Sequence, residues 1–247
     1  MAQGRGRTGR RDEALGRLLG AARAALEADG VVELSLRAVA KGLGWANSTV
    51  YRHVANRDAL LALLSSDVND EVRDVAEAAD RACAVEGGDA AERWLAVARA
   101  LRDWARAHPH LFGLLCTTAA PEDPARPGHF RVTGIWPTMG RIIHAGRAAG
   151  AIRPPAAGAY DIAGVFDMQR FASSGVPQEP FADLPVRSIS LYTSLLGILA
   201  SDVFNQMEHL DGARDRLFDL LVAVTAGAAG LDIVLPPAPA AAAPSVG

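Results

Sequence analysis

Three observations predict an all-α fold. Apolar residues recur three and four positions apart through most of the chain, which is the helical period. Segments rich in Gly or Pro separate these stretches. The stretch Leu34 to Asp58, LSLRAVAKGLGWANSTVYRHVANRD, reads as two short helices joined by a tight turn. The predicted architecture is an N-terminal three-helix domain, a long fourth helix, and a C-terminal helical domain. The expected boundaries are a flexible basic arm over 1–11, a head over 12–57, a connecting helix and linker over 58–88, a second domain over 89–230, and a disordered tail over 231–247.

The arm, MAQGRGRTGRR, holds four arginines and three glycines and no acid. On its own it should be disordered. It reads either as an arm that follows a nucleic-acid backbone or as a solubilising start. Asp12 to Ala28 is the first helix, with Leu15, Leu18, Leu19, Ala22 and Leu26 as its apolar stripe and Asp12 and Glu13 in its first turn. Asp29-Gly30 ends it. Ser35 suits the N-cap of the next helix, whose apolar face is Leu36, Val39, Ala40 and Leu43. Gly44 suits a left-handed helix end. A second short helix over about 46–54 turns Val50 and Val54 inward and Asn47, Ser48, Thr49, Tyr51, Arg52 and His53 outward. That outer face has donors and no carboxylate, which suits base edges and phosphates in a DNA major groove. This is a helix-turn-helix reading.

Asn56 reads as the cap of a helix over about 57–82, with Leu60, Leu61, Leu64, Val68, Val72, Val75 and Ala79 at helical spacing. Glu86-Gly87-Gly88-Asp89 is the break. Helices then follow over about 91–107, 111–118, 130–150, 156–174, 186–207 and 214–229, with Pro137 a candidate kink. The helix over 186–207 is apolar on more than one face, so burial on several sides is expected.

Composition narrows the function. The hydrophobic fraction of 50% is ample for a core, and no run was expected to approach the roughly 20 apolar residues of a membrane span. No apolar signal core follows the basic start, and Cys83 and Cys116 form no motif, so a reduced cytoplasmic protein with no membrane association is expected. The net charge of −3 is uneven: residues 1–57 carry ten Lys/Arg against five Asp/Glu. A basic head on an acidic body fits a protein of which only the head meets phosphate. Enzyme motifs are missing. No glycine-rich loop precedes Lys-Ser/Thr and no Gly-x-Ser-x-Gly elbow occurs. His108 and His110 flank a proline without the spacing of a metal site. No catalytic residue, metal or cofactor is therefore expected.

The head resembles the TetR family of one-component regulators over about 11–72. Val39-Ala40 stands at the family's Ile-Ala pair, Leu43-Gly44-Trp45-Ala46 at its turn, Thr49-Val50-Tyr51-Arg52-His53-Val54 at its recognition helix, and Asn56-Arg57-Asp58-Ala59-Leu60 at the next helix start. Two positions depart: Ala46 replaces the turn serine, and Val54 replaces a phenylalanine. The segment WARAHPHLFGLL also resembles the family's C-terminal domains. The resemblance implies a homodimeric DNA-binding regulator, a repressor, on a near-palindromic double-stranded operator. It implies DNA contacts from Ser35, Arg37, Trp45, Asn47, Ser48, Thr49, Tyr51, Arg52, His53 and Arg57, with Ser35 also able to act as a cap alone. It further implies a C-terminal ligand-binding and dimerisation domain. Trp104, Phe112, Trp136, Met139, Phe166 and Phe171 are candidates to line a cavity for a small apolar or aromatic effector, although such side chains are core by default. Leu195, Gly197, Leu199, Ala200 and Leu220 are candidates for the dimer interface. Two other readings stay open: a helical small-molecule enzyme or carrier without DNA binding, and a DNA-binding regulator without an effector.

Overall fold

The structure is a computed structural model, and it describes residues 3–117, 134–154, 161–165, 171, 175–176, 179, 181–206 and 214–237, with side chains from Glu13 onward. All regular structure among the described residues is helical. The elements are α1 (Gln3–Glu33), α2 (Leu36–Leu43), α3 (Asn47–Val50), α4 (Arg57–Val85), α5 (Ala90–Ala107), α6 (Pro109–Thr117), α7 (Ile135–Ala148), α8 (Leu184–Val203) and α9 (Arg214–Ala229). The chain divides into two compact units: residues 1–77 with 101–138, and residues 78–100 with 139–247.

In the first unit, α1 packs on α2 and α6, and α2 packs on α3. Leu18, Ala22 and Leu26 of α1, Val39 and Ala40 of α2, Val50 and Val54, and Leu60, Leu64, Val68 and Val72 of α4 are buried. The predicted stripes therefore face inward. The helical backbone begins at Gln3, not near Asp12, so the segment expected to be a flexible arm extends α1. Arginine favours helix, and the segment continues a helix already held by its apolar face. Asp12 and Glu13 thus lie inside α1 and not in its first turn. Gly30 breaks α1 with φ +77° and ψ 174°, as the Asp29-Gly30 pair predicted.

Capping follows the sequence at two further points. Ser35 Oγ accepts from the Ala38 amide at 3.2 Å, and Asn56 Oδ1 accepts from the Ala59 amide at 2.8 Å. At α5, Asp89 Oδ1 accepts from the Ala91 and Glu92 amides, and Glu92 Oε2 accepts from the Asp89 amide at 2.9 Å. This reciprocal capping box was not anticipated, although Asp-x-x-Glu is its signature. Just before it, Gly88 leaves room that the Cys83 thiol takes: a Cβ at Gly88 would lie 2.4 Å from Cys83 Sγ.

In the second unit, α8 and α9 pack against each other. Leu191, Leu195, Ile198 and Leu199 of α8 and Phe218, Val222, Ala226 and Ala229 of α9 are buried. Arg187 is 3% exposed and donates to the backbone oxygens of Arg153 (2.8 Å) and Ala229 (2.5 Å). Burial pushes its pKa down, against the attraction of Asp183.

Several boundaries move. α7 starts at Ile135, and Pro137 lies in its first turn, where an amide hydrogen is not needed, so no kink is required. α8 ends at Val203, short of the expected Met207, which lies outside the described residues. In the expected helix over 156–174, Asp161 to Val165 forms a turn, and most of the remainder lies outside the described residues. The membrane expectation also needs correction: α8 is long and apolar enough to cross a membrane by length and composition alone. It carries the buried Arg187 and packs on α9, so a core helix passes that test here.

Candidate nucleic-acid interface

The head presents a small polar surface on a fixed base. Val50 and Val54 are buried and anchor α3 and the turn after it. Asn47, Ser48, Tyr51 and Arg52 are exposed, with Tyr51 at 54%, while Thr49 and His53 are half-buried. The helix is shorter than expected. It spans only Asn47–Val50, and the chain continues to Val54 as turns in which the amides of Arg52, His53 and Val54 donate to Thr49 and Val50 carbonyls. Arg52 Nη2 donates to Thr49 Oγ1 at 3.1 Å, which aligns the guanidinium along this surface. Ala46 is the N-cap residue and supplies no side-chain cap, so the first amides of α3 are open to another acceptor.

Trp45 is half-buried. Its ring lies 5.9 Å from the His53 ring, and the Arg17 guanidinium of α1 lies 5.3 Å from its centroid. A cation over an indole is a favourable contact. Trp45 and His53 are therefore partly committed to holding the turn against α1. Arg57 is also half-buried: Nε donates to Leu34 O at 2.9 Å, and Nη2 donates to Val31 O. These bonds tie the start of α4 to the end of α1. Ser35 serves as the cap described above, and Arg37 is exposed. The first helix contributes what sequence reasoning missed. Nothing in the spacing of Arg17 marks it as a partner for an indole 28 positions away.

The predicted effector residues separate. Trp104 (8% exposed), Phe112 (2%) and Trp136 (1%) belong to the first unit, and Met139 (0%) and Phe171 (3%) to the second. Phe166 lies outside the described residues. Trp104 Nε1 donates to Glu71 Oε1 at 2.7 Å, so its polar edge is satisfied inside the protein. A cleft of about 600 Å³ opens in the second unit, lined in part by Cys83, Glu92, Leu95, Arg99 and Leu235. None of the predicted effector residues among the described residues lines it.

The predicted dimer residues also separate. Leu195 (2% exposed) and Leu199 (1%) turn into the chain's own core, so they do not present an outer surface. The helix is apolar on several faces, and the sequence did not fix which face points inward. Gly197 and Leu220 are exposed and Ala200 is half-buried. Val224, 71% exposed, lies one turn beyond Leu220 on the same face of α9.

Comparison with known proteins places these observations. Residues 94–225 match the family described as Tetracyclin repressor-like, C-terminal domain. The HTH-type transcriptional regulator Rv1816 of Mycobacterium tuberculosis is 38% identical over 130 residues, covering 50% of this chain and 53% of that protein. The regulator Mb1846 of Mycobacterium bovis matches to the same extent. The match thus spans about half the length of these curated relatives. Among solved structures, the regulatory protein SCO4313 is 25% identical with a TM-score of 0.59, covering 92% of this chain and 100% of that one. SmeT, the repressor of the Stenotrophomonas maltophilia multidrug efflux pump SmeDEF, is 18% identical with a TM-score of 0.52, covering 86% of this chain and 88% of that one. The latter likeness concerns the fold alone.

Proposed function

The chain belongs to the TetR family of transcriptional regulators, and from that premise we propose that it is a DNA-binding repressor acting as a homodimer. The observation that carries this reading is the surface of Asn47, Ser48, Tyr51 and Arg52, which has donors and no carboxylate and stands on the buried Val50 and Val54. In this reading each copy places α3 in a major groove, and the two copies address half-sites about 34–36 Å apart on a near-palindromic operator. Asn47 and Arg52 read base edges. Ser48, Thr49, Tyr51 and Arg37 contact phosphate or sugar, and the Ser35 and Arg57 ends of α2 and α4 approach the backbone. The two copies meet through the outer faces of α8 and α9, with Gly197, Ala200, Leu220 and Val224 at the contact.

A small apolar or aromatic effector in the helical domain releases the operator. To move a mostly bound population to a mostly free one, it must favour one state by roughly 5 kcal/mol. A regulator without an effector is the second reading, supported by the close burial of Trp104, Phe112, Trp136, Met139 and Phe171. Selection of duplexes from a random-sequence library by the purified chain tests the DNA reading. Recovery of a shared two-fold motif is expected. Recovery of no motif, with no salt-dependent DNA affinity, refutes the DNA reading and leaves a helical enzyme or carrier. A thermal-shift screen of aromatic and acyl compounds separates the effector reading from its rival.

A further inference from the structure

The first unit contains a polar junction that none of the proposed DNA contacts uses. Glu71 of α4 divides its two carboxylate oxygens between two other helices. Oε2 accepts from Arg23 Nη1 of α1, and Oε1 accepts from Trp104 Nε1 of α5 at 2.7 Å. Glu27, one turn after Arg23, closes the same junction. His108 Nδ1 lies 2.9 Å from Glu27 Oε1, and His110 Nδ1 lies 2.9 Å from the Glu27 backbone oxygen. The Trp104 and His108 rings are 5.5 Å apart. The His-Pro-His motif, which suggested no metal site, thus clasps residue 27 from the α5–α6 corner. The Arg23 guanidinium, and then the Trp104 indole, hold the Glu71 carboxyl below the usual range against the opposing effect of burial.

The same helix supports the turn of the head. Arg17, six residues before Arg23, stands over Trp45, which faces His53. Six residues are about 9 Å of helix, too short a rod to bend appreciably. A displacement of α1 at Arg23 therefore reaches Trp45.

Resting on the DNA-binding reading above, we propose that Glu71 is a positioning residue for operator recognition: it seats α1 between α4 and α5, and α1 in turn seats the Trp45–His53 pair behind α3. Glu71 touches no DNA.

Glu71→Gln tests this at nearly constant volume, because glutamine replaces one of the two acceptor oxygens with an NH2 donor, which then faces the donor of either Arg23 or Trp104. The probe is a fluorescein-labelled duplex selected by the wild-type chain, with a scrambled duplex of the same length as reference. If the wild-type chain selects no duplex, the DNA reading falls and the proposal with it. If it does, Glu71→Gln is expected to weaken selected-duplex binding about tenfold, because fewer molecules hold the competent geometry, with scrambled-duplex affinity equal or slightly tighter. Removing a carboxylate without disturbing geometry instead tightens binding to a polyanion. Equal or tighter binding of the selected duplex by the variant therefore overturns the proposal, and so does a lowered melting temperature with unchanged affinity. Trp104→Phe should cost less in the Glu71→Gln background than alone, since both act through one carboxylate. Additive effects also overturn it.

Discussion

The Arg17 guanidinium of α1 lies 5.3 Å from the centroid of the Trp45 ring, so the turn of the helix-turn-helix is held from outside the motif. Arg17→Ala should loosen the turn by about 0.5–1 kcal/mol, the value of a partly exposed cation–π contact. The uncapped Ala46 offers the opposite change. Its φ of −65° and ψ of 142° already suit an N-cap, so Ala46→Ser should stabilise the head by about 1 kcal/mol. Urea denaturation monitored by tryptophan fluorescence reads both, and a destabilised Ala46→Ser refutes the capping argument.

Arg57 is expected to show two separable effects. Arg57→Ala leaves the Val31 and Leu34 carbonyls without their donor and should cost about 1–3 kcal/mol of stability. Lysine cannot reproduce the two-pronged geometry, yet it keeps the charge. If Arg57 also meets phosphate, Arg57→Lys restores affinity for random duplex without restoring stability. Parallel recovery or parallel loss of both properties removes Arg57 from the phosphate contacts.

Acid should weaken the first unit through Glu71. Its pKa lies below the ordinary value of 4.5 when folded, so its contribution is fully present above that value and is lost as pH falls through the folded one. The melting temperature should therefore drop as pH falls below the ordinary carboxylate value of 4.5, and Glu71→Gln should flatten that drop. An unchanged pH profile in Glu71→Gln would assign the acid sensitivity to other carboxylates.

In the second unit Arg187 bonds two backbone carbonyls that belong to different segments. Arg187→Ala removes a buried cation beside Asp183 and should cost about 3–5 kcal/mol. Gly230 has φ +90°, and a Cβ there would lie 2.1 Å from Arg187 Nη2, so Gly230→Ala should be comparably severe. Calorimetry reads both. The Arg153 backbone oxygen, 2.7 Å from that Cβ, adds a clash that movement of the guanidinium does not relieve, so a mild effect of Gly230→Ala would mean that the Arg153 segment also yields.

The outer face of α9 tests the proposed dimer. Leu220 and Val224 are 42% and 71% exposed, so Leu220→Asp with Val224→Asp should leave the chain folded and monomeric in sedimentation. Leu195→Asp, at a buried position, should unfold the chain instead. A dimer that survives the double change places the interface elsewhere.

Much of this fold was legible because it is local. The apolar spacing located α1, α2, α4, α5 and α9, and Ser35 and Asn56 announced their own caps. What was not legible depends on residues far apart in sequence. Arg23 and Glu71 are 48 positions apart, and each alone resembles a charge on a solvated face. Leu195 and Leu199 are buried where an outer contact was expected, because a helix apolar nearly all round has no readable phase. The length of α3 was overestimated because the inward Val50 and Val54 fit a helix and a hydrogen-bonded turn equally well.

The corner between α4 and α5 carries a consequence for how this chain can change over time. The thiol of Cys83 occupies space that exists because residue 88 has no side chain. The two positions must therefore trade volume. Gly88→Ala alone collides with sulfur, whereas with Cys83→Ala the nearest remaining neighbour of the new methyl is the residue 83 carbonyl oxygen, at 3.0 Å. The order of substitution matters: a lineage can enlarge position 88 only after position 83 has shrunk. Among related sequences the two sites should covary, with a thiol at 83 found only where 88 is glycine.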